Sequence, residues 1–554
     1  MNRILLFLCL FPVLVCADLR LPNIFSHHMI LQREKPVTVW GWGTAGADVT
    51  VEFSGQSKSV PVNGEGRWSL SLDPLLANSV GQSMVIRSGL EERRIDDIVV
   101  GDVWLCGGQS NMEWTMRSTR DADMEIPSAN YPGIRFLRLP KLARNTIQDD
   151  FPVKSPSSHE GNWKRAVATE VENCTGVGYY FAKRLHRRLG VPVGIVDTSW
   201  GGTMAQHWVT RDTLELIPEM KPYIVKFDGE LDAWEAGGGE NGARKRYEED
   251  LRAWESSVKE ARVKGEKEPQ RPNENAYRSP AMKHQPGGMM NGVLMPVASF
   301  TYKGILFYQG ENNSFSESWK PFYATFPAVV SDWRKVLKDD LPFGIVQIAG
   351  WSNRRSMSYD MNHHCNVTRE IQYLTWKHTE GTGLIATYDT NSNGSIHPGR
   401  KAPVGERAAR WALAQVYKLS AYGRKEPLEW QGPDYENFEV KDGKVLISFA
   451  EGSARGLRLD QDVDVGFYIA GENREFHHAR ARVDGGKNQL VVWHDEIKEP
   501  KAVRYAFSNL PMGGLMNGRE LPAFPFRTDD WPITPHQSVG DYEVSKARAH
   551  LNSR

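Results

Sequence analysis

Short apolar runs alternate with helical patterns through the middle of the chain, and this alternation restricts the fold more than any other feature of the sequence. Helical spacing of apolar residues occurs at 176–188 and 403–418. The apolar runs contain few polar residues, which is typical of strands buried on both faces of a parallel sheet. They lie at 102–106, 193–198, 304–308, 343–349 and 383–388. The sequence therefore predicts a catalytic-type α/β domain with a doubly wound parallel sheet over 96–424.

Two segments with a β-strand sequence pattern flank this domain. Residues 18–95 and 425–527 contain short alternating runs that are separated by turn-forming residues such as Gly, Ser and Asn. We expect a β-sandwich-like domain on each side of the α/β domain. The residues beyond, 528–554, are polar and are predicted to form a tail.

A strongly charged segment at 226–276 interrupts the α/β pattern. It contains a Gly-rich break at 237–242 and a helical pattern at 244–263. The simplest interpretation is a solvated helical insertion. The alternative is a lid that borders the functional site.

The first 17 residues have the pattern of a secretory signal peptide. One basic residue precedes an apolar run at 4–15, and small side chains follow at Cys16 and Ala17. The run is shorter than the ~20 residues that a membrane-spanning helix needs. Val15 is bulky where a lipoprotein site at Cys16 would need a small residue. We therefore expect cleavage after Ala17 and a secreted or periplasmic protein that is not held at a membrane.

Charge and cysteine content argue against several classes of function. Lys and Arg total 68, and so do Asp and Glu, so the chain has no net positive charge that would favour binding to nucleic acid. Of the five cysteines, three lie beyond the predicted signal peptide (Cys106, Cys174 and Cys365), and they can form one disulfide at most. The chain has no CxxC or HExxH motif, so no metal site is indicated and no cofactor is expected.

One motif presents a serine at the end of an apolar strand. The run at 101–106 ends in Gly107-Gly108, and Ser110 follows before a helical segment. A serine at such a turn exposes its hydroxyl at the carboxyl edge of the sheet, beside free N–H groups of the helix. Taken alone, the pattern fits a serine that only caps a helix equally well.

Three other segments place polar groups at positions that the same sheet edge can bring together. Gly201 and Gly202 follow a strand and offer backbone N–H groups to an oxyanion. Gln309 follows another strand and offers a carboxamide. His397 precedes the helix at 403 and is a candidate general base. Each segment alone is also explained by a turn or a structural residue, but a parallel sheet gathers all of them at one edge.

Together, the four segments resemble the ordered blocks of the sialate O-acetylesterases, a family of the SGNH (GDSL-type) serine esterase superfamily. The blocks are Gly-Gln-Ser-Asn-Met at 108–112, Ser-Trp-Gly-Gly-Thr at 199–203, Tyr-Gln-Gly-Glu-Asn at 308–312 and Ile-His-Pro at 396–398. The resemblance covers most of the chain. It implies a secreted carbohydrate esterase that removes O-acetyl groups from sialic acids.

The resemblance also implies roles for individual residues. Ser110 matches the nucleophile and His397 matches the base. The oxyanion hole is matched by the backbone N–H groups of Ser110 and Gly202 and by the side chain of Gln309. The implied mechanism is a Ser-His acyl-enzyme mechanism without a metal or cofactor.

The group that orients the catalytic histidine is left open by the sequence. Family members usually carry Asp three residues before this histidine, and Gly394 stands there in this chain. Asp389, at a strand end, is a possible third triad member. A backbone carbonyl would instead leave a Ser–His dyad, which is the alternative that we favour.

Two other functions remain open at this point. Related families with similar blocks deacetylate plant or algal polysaccharides such as acetyl xylan. A sialic acid has a carboxylate, so an arginine near the site would favour it, and the candidates are Arg354, Arg355 and Arg369. A non-catalytic carbohydrate-binding protein is a third possibility, although the intact set of Ser, Gly, Gln and His argues against it. In the two esterase interpretations the partner is an O-acetylated sugar, and the sequence does not indicate an oligomeric state.

Overall fold

The computed structural model describes five stretches of the chain. They are residues 19–282, 285–351, 364–391, 395–460 and 466–531. Several sequence predictions fall outside the described residues: the signal peptide at 1–17, Arg354 and Arg355, Gly394, and most of the polar tail.

Three of the N-terminal strands, at 37–42, 48–53 and 67–72, alternate between buried and more exposed positions because one face of each packs on the core. The strands of this region are β1 (Ile30–Gln32), β2 (Val37–Trp42), β3 (Asp48–Phe53), β4 (Gln56–Pro61), β5 (Arg67–Leu72), β6 (Asn78–Ser88) and β7 (Glu91–Gly108). The last of these is 18 residues long. It pairs with β6 in antiparallel fashion and then continues into the central parallel sheet. The predicted boundary at 95/96 therefore falls inside one continuous strand.

The central sheet continues with β8 (Asn130–Arg138), β9 (Trp163–Val167), β10 (Val193–Asp197), β11 (Gly304–Tyr308), β12 (Phe343–Val346) and β13 (Thr382–Ile385). Its order is β13-β12-β11-β7-β10-β8-β9, and every neighbouring pair is parallel except β8 and β9. Strands β10, β11 and β12 are buried at every position, which explains their continuous apolar sequence. The predicted α/β fold with a parallel sheet is confirmed.

The described helices are α1 (Ser110–Glu113), α2 (Ala122–Ser128), α3 (Gly176–Leu189), α4 (Arg211–Glu215), α5 (Lys221–Ala236), α6 (Gly239–Lys264), α7 (Phe322–Leu337), α8 (Cys365–His378) and α9 (Ala402–Trp411). Helix α3 begins where the Thr175 side chain accepts a hydrogen bond from the Gly178 N–H, and ends at Gly190 in a left-handed conformation. Successive side chains of β7 belong to different buried hydrophobic clusters, one on each face of the sheet. Trp104 packs with α3 and α9, whereas Leu105 packs with α7 and α8. Helices thus cover both faces of the sheet.

The charged insertion consists largely of α5 and α6. Helix α6 includes the predicted helical segment 244–263, and only three of its residues are buried. Helix α5 contacts the segment that follows β10, where Tyr223 hydrogen-bonds to His207 at 3.0 Å. A lid function for 226–276 remains a prediction. Within the described stretches, no helix is long and apolar enough to cross a membrane.

The C-terminal region is built of short strands. They are β14 (Tyr435–Lys441), β15 (Lys444–Phe449), β16 (Arg458–Leu459), β17 (Phe467–Ala470), β18 (His477–His478), β19 (Arg480–Asp484), β20 (Gln489–Trp493), β21 (Ala502–Tyr505), β22 (Leu515–Met516) and β23 (Phe526–Arg527). Two four-stranded antiparallel sheets, β14-β15-β20-β19 and β18-β17-β21-β23, contribute to one buried cluster. The hydroxyl of Tyr505 in this cluster bonds to that of Tyr388 at 3.0 Å, which joins the region to the α/β domain.

Candidate active site

Ser110 lies at the carboxyl edge of the sheet because β7 ends in two glycines. At Gly108, φ is 121°, and a Cβ atom there would lie 2.1 Å from the carbonyl oxygen of Tyr308. A side chain at Gly107 would collide with Trp333. The close approach of β11 at Gly108 and of the α7 side chain Trp333 at Gly107 thus requires glycine at both positions. Helix α1 starts shortly afterwards, at Ser110.

The structure brings Ser110 and His397 into hydrogen-bond contact. Nε2 of His397 lies 2.7 Å from Oγ of Ser110. The histidine backbone N–H donates to Oγ of Ser395, and the Trp114 ring stacks on the imidazole with centroids 5.0 Å apart. Burial lowers the pKa of His397, the positive charge of Lys401 lowers it further, and Glu113 raises it. A neutral imidazole in this position can accept the serine proton.

The segment after β10 packs against the serine. A Cβ atom on Gly201 would lie 3.1 Å from Cβ of Ser110. The Gly201 N–H donates to the Glu113 carboxylate at 2.6 Å, whereas Gly202 adopts a left-handed conformation with φ of 76°. Among the described residues, no acceptor is found for the backbone N–H groups of Ser110 and Gly202. These two groups remain available as donors to an oxyanion.

The structure differs from the expectation that the Gln309 amide is a free oxyanion donor. Nε2 of the buried Gln309 donates to Gln109 Oε1 at 2.6 Å and to the Thr203 carbonyl at 2.8 Å. Both amide hydrogens are therefore used, and an oxyanion would have to replace one of these acceptors. The physical reason is the position of Gln309, where the ends of β7, β10 and β11 meet and the amide links the segments that follow them.

Asp389 does not orient His397 in this structure. Its two carboxylate oxygens each accept a hydrogen bond from Arg407 at 2.6 Å. Within the described part of the chain, the hydrogen bonds of His397 go to Ser110 and Ser395 only. The possible assignment of Asp389 as third triad member is therefore corrected: its carboxylate is engaged with α9.

A buried polar network behind the serine was missed by the sequence interpretation. Asn111 Nδ2 donates to Glu311 Oε1 at 2.5 Å and to the Ile396 carbonyl at 3.0 Å, and its Oδ1 accepts from Lys401 Nζ at 2.5 Å. Burial raises the pKa of Glu311 to about 7 and lowers the pKa of Lys401 to about 7. All these residues lie in or next to the four blocks, but spacing alone cannot show that they meet.

Comparison with known proteins shows that the chain is similar to carbohydrate esterases. Residues 100–263 match the family described as carbohydrate esterase, sialic acid-specific acetylesterase. The protein is an esterase. It is 26% identical to the sialate O-acetylesterase of Mus musculus over 490 residues, which cover 80% of each chain. The Homo sapiens sialate O-acetylesterase is also 26% identical, over 79% of this chain and 78% of the relative.

The esterase also resembles a solved structure along most of its length. A carbohydrate acetylesterase from Xanthomonas citri superposes with a TM-score of 0.73 and 27% sequence identity, covering 93% of this chain and 100% of that one. The family match at 100–263 includes Ser110 and Gly202 but ends before Gln309 and His397. The arrangement of these last two residues around Ser110 is therefore known from the structure rather than from the family match.

Of the three arginine candidates for substrate binding, only Arg369 lies among the described residues, and it is buried. Arg369 has no exposed surface, and its guanidinium donates to the carbonyls of Ala349 and Ser508. It is therefore not available to a sugar carboxylate, which corrects the sequence expectation. Arg138 and Lys141 both donate to one carboxylate oxygen of Glu113, whose other oxygen accepts the Gly201 N–H. The described residues include no group of three or more His, Cys, Asp or Glu that could hold a metal ion.

Proposed function

We propose that the protein is an exported sialate O-acetylesterase with Ser110 as nucleophile and His397 as general base. The observation that carries this proposal is the 2.7 Å contact between Ser110 Oγ and His397 Nε2 at the carboxyl edge of the sheet. The sialic acid substrate is supported by the description of the matching family and by the names of the mammalian relatives. Export is supported by the signal-peptide pattern of residues 1–17.

The proposed mechanism follows from this contact. His397 accepts the Ser110 proton as Oγ attacks the acetyl carbonyl, and the N–H groups of Ser110 and Gly202 stabilise the oxyanion. The imidazolium then donates its proton to the ester oxygen of the sugar as the bond between this oxygen and the acyl carbon breaks, so the sugar leaves as an alcohol and acetyl-Ser110 remains. A water molecule, deprotonated by His397, attacks this ester, and the imidazolium returns the proton to Ser110 Oγ as acetate is released.

The test is acetate release from O-acetylated sialic acids by wild type and by Ser110→Ala. We expect the substitution to lower kcat by several orders of magnitude because it removes the hydroxyl that contacts the base His397. Ser331→Ala is the matched control, since Ser331 lies on the exposed face of α7 and bonds only to the Ala328 carbonyl. Full activity of Ser110→Ala would refute the proposal.

A second candidate is an acetylesterase that acts on a neutral polysaccharide. It is favoured by the similarity to the Xanthomonas citri protein, whose description specifies a carbohydrate but no sialic acid. Acetylated xylan in the same assay separates the two. A kcat/KM that is higher for xylan than for O-acetyl sialic acid, and lost in Ser110→Ala, would keep the Ser–His mechanism and replace the substrate.

A further inference from the structure

The imidazole of His397 is held without a carboxylate on its second nitrogen in the described residues. A base in such a site still needs a fixed orientation, because proton transfer in the transition state depends on geometry. Three contacts fix the orientation of His397. Its backbone N–H donates to the Ser395 hydroxyl, and the Trp114 ring stacks on the imidazole. Asn111 donates to the carbonyl of Ile396, the residue before the histidine. Asn111 follows Ser110 directly, so it couples the backbone of the nucleophile to the backbone of the base.

Lys401 is the residue that fixes Asn111. Its Nζ donates to Oδ1 of Asn111 at 2.5 Å, which orients the amide so that Nδ2 faces Glu311 and the Ile396 carbonyl. The lysine is only 1% exposed. No carboxylate oxygen among the described residues lies within ion-pair distance of Nζ. The centroids of the Trp114 and Tyr308 rings lie 5.7 and 5.6 Å from Nζ.

A lysine without a salt bridge is costly to bury, since desolvation disfavours its charged form. Such residues cluster at functional sites more often than in ordinary cores. We propose that Lys401 is a positioning residue for His397: it locks Asn111 onto the histidine loop, and its positive charge keeps the imidazole neutral. The inference rests on the proposed function only in taking His397 as the base.

The charges that face His397 act in opposite directions. Lys401, at the start of α9, lowers the pKa of the imidazole, and Glu113, on α1, raises it. Glu113 in turn forms ion pairs with Arg138 and Lys141. The negative charge of Glu311 raises the pKa of Lys401. Lys401 itself has a pKa of about 7, so it is mainly charged in the more acidic range where the imidazole titrates. Removing its charge should therefore raise the pKa of His397.

The decisive measurement is an NMR titration of the His397 imidazole in the full chain, with the signal assigned by its loss in His397→Ala. It requires no substrate, so it can fail or succeed independently of the proposed esterase function. In Lys401→Gln the amide can still donate to Asn111 but the charge is gone. We expect the midpoint of His397 to rise by about half a pH unit in this variant.

Kinetics separate positioning from charge. In Lys401→Gln the acid limb of kcat/KM should move upward with the NMR midpoint while the plateau stays within about threefold of wild type. Lys401→Met removes the hydrogen bond as well. Asn111→Ala keeps the charged lysine but removes its acceptor and the bridge to Ile396. Both should lower plateau kcat by about tenfold or more with little change in KM, as for an interaction made in the transition state.

Two controls define the outcomes. Lys259→Met, on the exposed face of α6, should leave the His397 midpoint unchanged, and Glu113→Gln, which keeps an acceptor for the Gly201 N–H, should lower it. If the midpoint in folded Lys401→Gln equals that of wild type, the electrostatic part of the inference is overturned. If the plateau kcat of Asn111→Ala equals that of wild type, the positioning part of the inference is overturned. This variant tests positioning even if the Lys401 variants do not fold.

Discussion

At the level of single residues, burial accounts for the properties of the candidate base. The imidazole of His397 is half-buried between the Trp114 ring and the serine, where water cannot fully solvate its charged form. The pKa of His397 is therefore lowered from its ordinary value of 6.5, and this shift favours the neutral form that accepts a proton.

The pH dependence of activity follows directly. We expect kcat/KM for acetyl ester hydrolysis to be constant at neutral pH and to fall on acidification through a midpoint below 6.5, because protonated His397 cannot act as a base. A pH series of initial rates under subsaturating substrate measures this midpoint. An acid limb centred above 6.5 would contradict the assignment of His397 in its observed environment.

Asp389 provides a second test at this scale. Asp389→Asn removes one partner of an ion pair whose two side chains are each only 15% exposed. We expect the free energy of unfolding to fall by about 3 kcal/mol, with kcat reduced by less than about tenfold. A third triad carboxylate would instead cost about 10⁴-fold in kcat at nearly unchanged stability. Denaturant unfolding and steady-state kinetics on the same preparation distinguish the two results.

At the level of elements, three parallel strands determine where the site lies. Strands β7, β10 and β11 are neighbours, and their carboxyl ends release Ser110, the Gly201-Gly202 turn and Gln309 at one edge of the sheet. The Gln309 amide then ties the ends together through Gln109 and Thr203. The geometry of the candidate oxyanion hole is thus a property of the sheet edge rather than of any one turn.

Gly201→Ala tests this dependence. A Cβ atom there would lie 2.9 Å from Glu113 Oε2 and 3.1 Å from Ser110 Cβ, so the turn or the serine must move. We expect kcat to fall by about 10²-fold, since small displacements of reacting groups have effects of this size. Gly229→Ala on α5, whose added methyl group meets nothing within 4 Å, is the control and should keep wild-type kinetics. Wild-type kcat for Gly201→Ala would show that the turn is not coupled to the chemistry.

At the level of the whole molecule, the C-terminal region contributes buried partners to the α/β domain. Asn509 accepts hydrogen bonds from the backbone N–H groups of Trp351 and Cys365, and the carbonyl of Ser508 accepts one from Arg369. Without these partners, buried donors of the α/β domain would be left unsatisfied.

We therefore expect a chain that ends at residue 424 to be insoluble or to lack a cooperative unfolding transition. A chain that ends at residue 531 keeps every contact described here and should unfold with wild-type cooperativity. Expression yield and thermal unfolding followed by circular dichroism compare the two. A soluble, active protein ending at residue 424 would contradict the structural dependence that we infer.

Part of this result could be predicted from local pattern. The predicted runs at 193–198 and 304–308 contain β10 and β11, because a strand buried on both faces needs mainly apolar residues. The strand predicted from the run at 383–388 is longer than the observed one. Strand β13 ends at Ile385, and a short 3-10 turn follows at Tyr388–Thr390. The location of Ser110 at a strand end followed from its two preceding glycines.

The sequence by itself determined the alternation of strands and helices, the family resemblance, and the serine, glycines and histidine of the candidate site, because these depend on residue type and short spacing. Only the tertiary structure decided which polar groups meet: that Arg407 takes the Asp389 carboxylate, that both Gln309 hydrogens are donated, and that Lys401 reaches Asn111 across 290 positions of chain. These contacts join segments that are far apart along the chain. Their partners are set by the packing of the sheet edge and by the cost of burying unpaired polar groups, which no local pattern records.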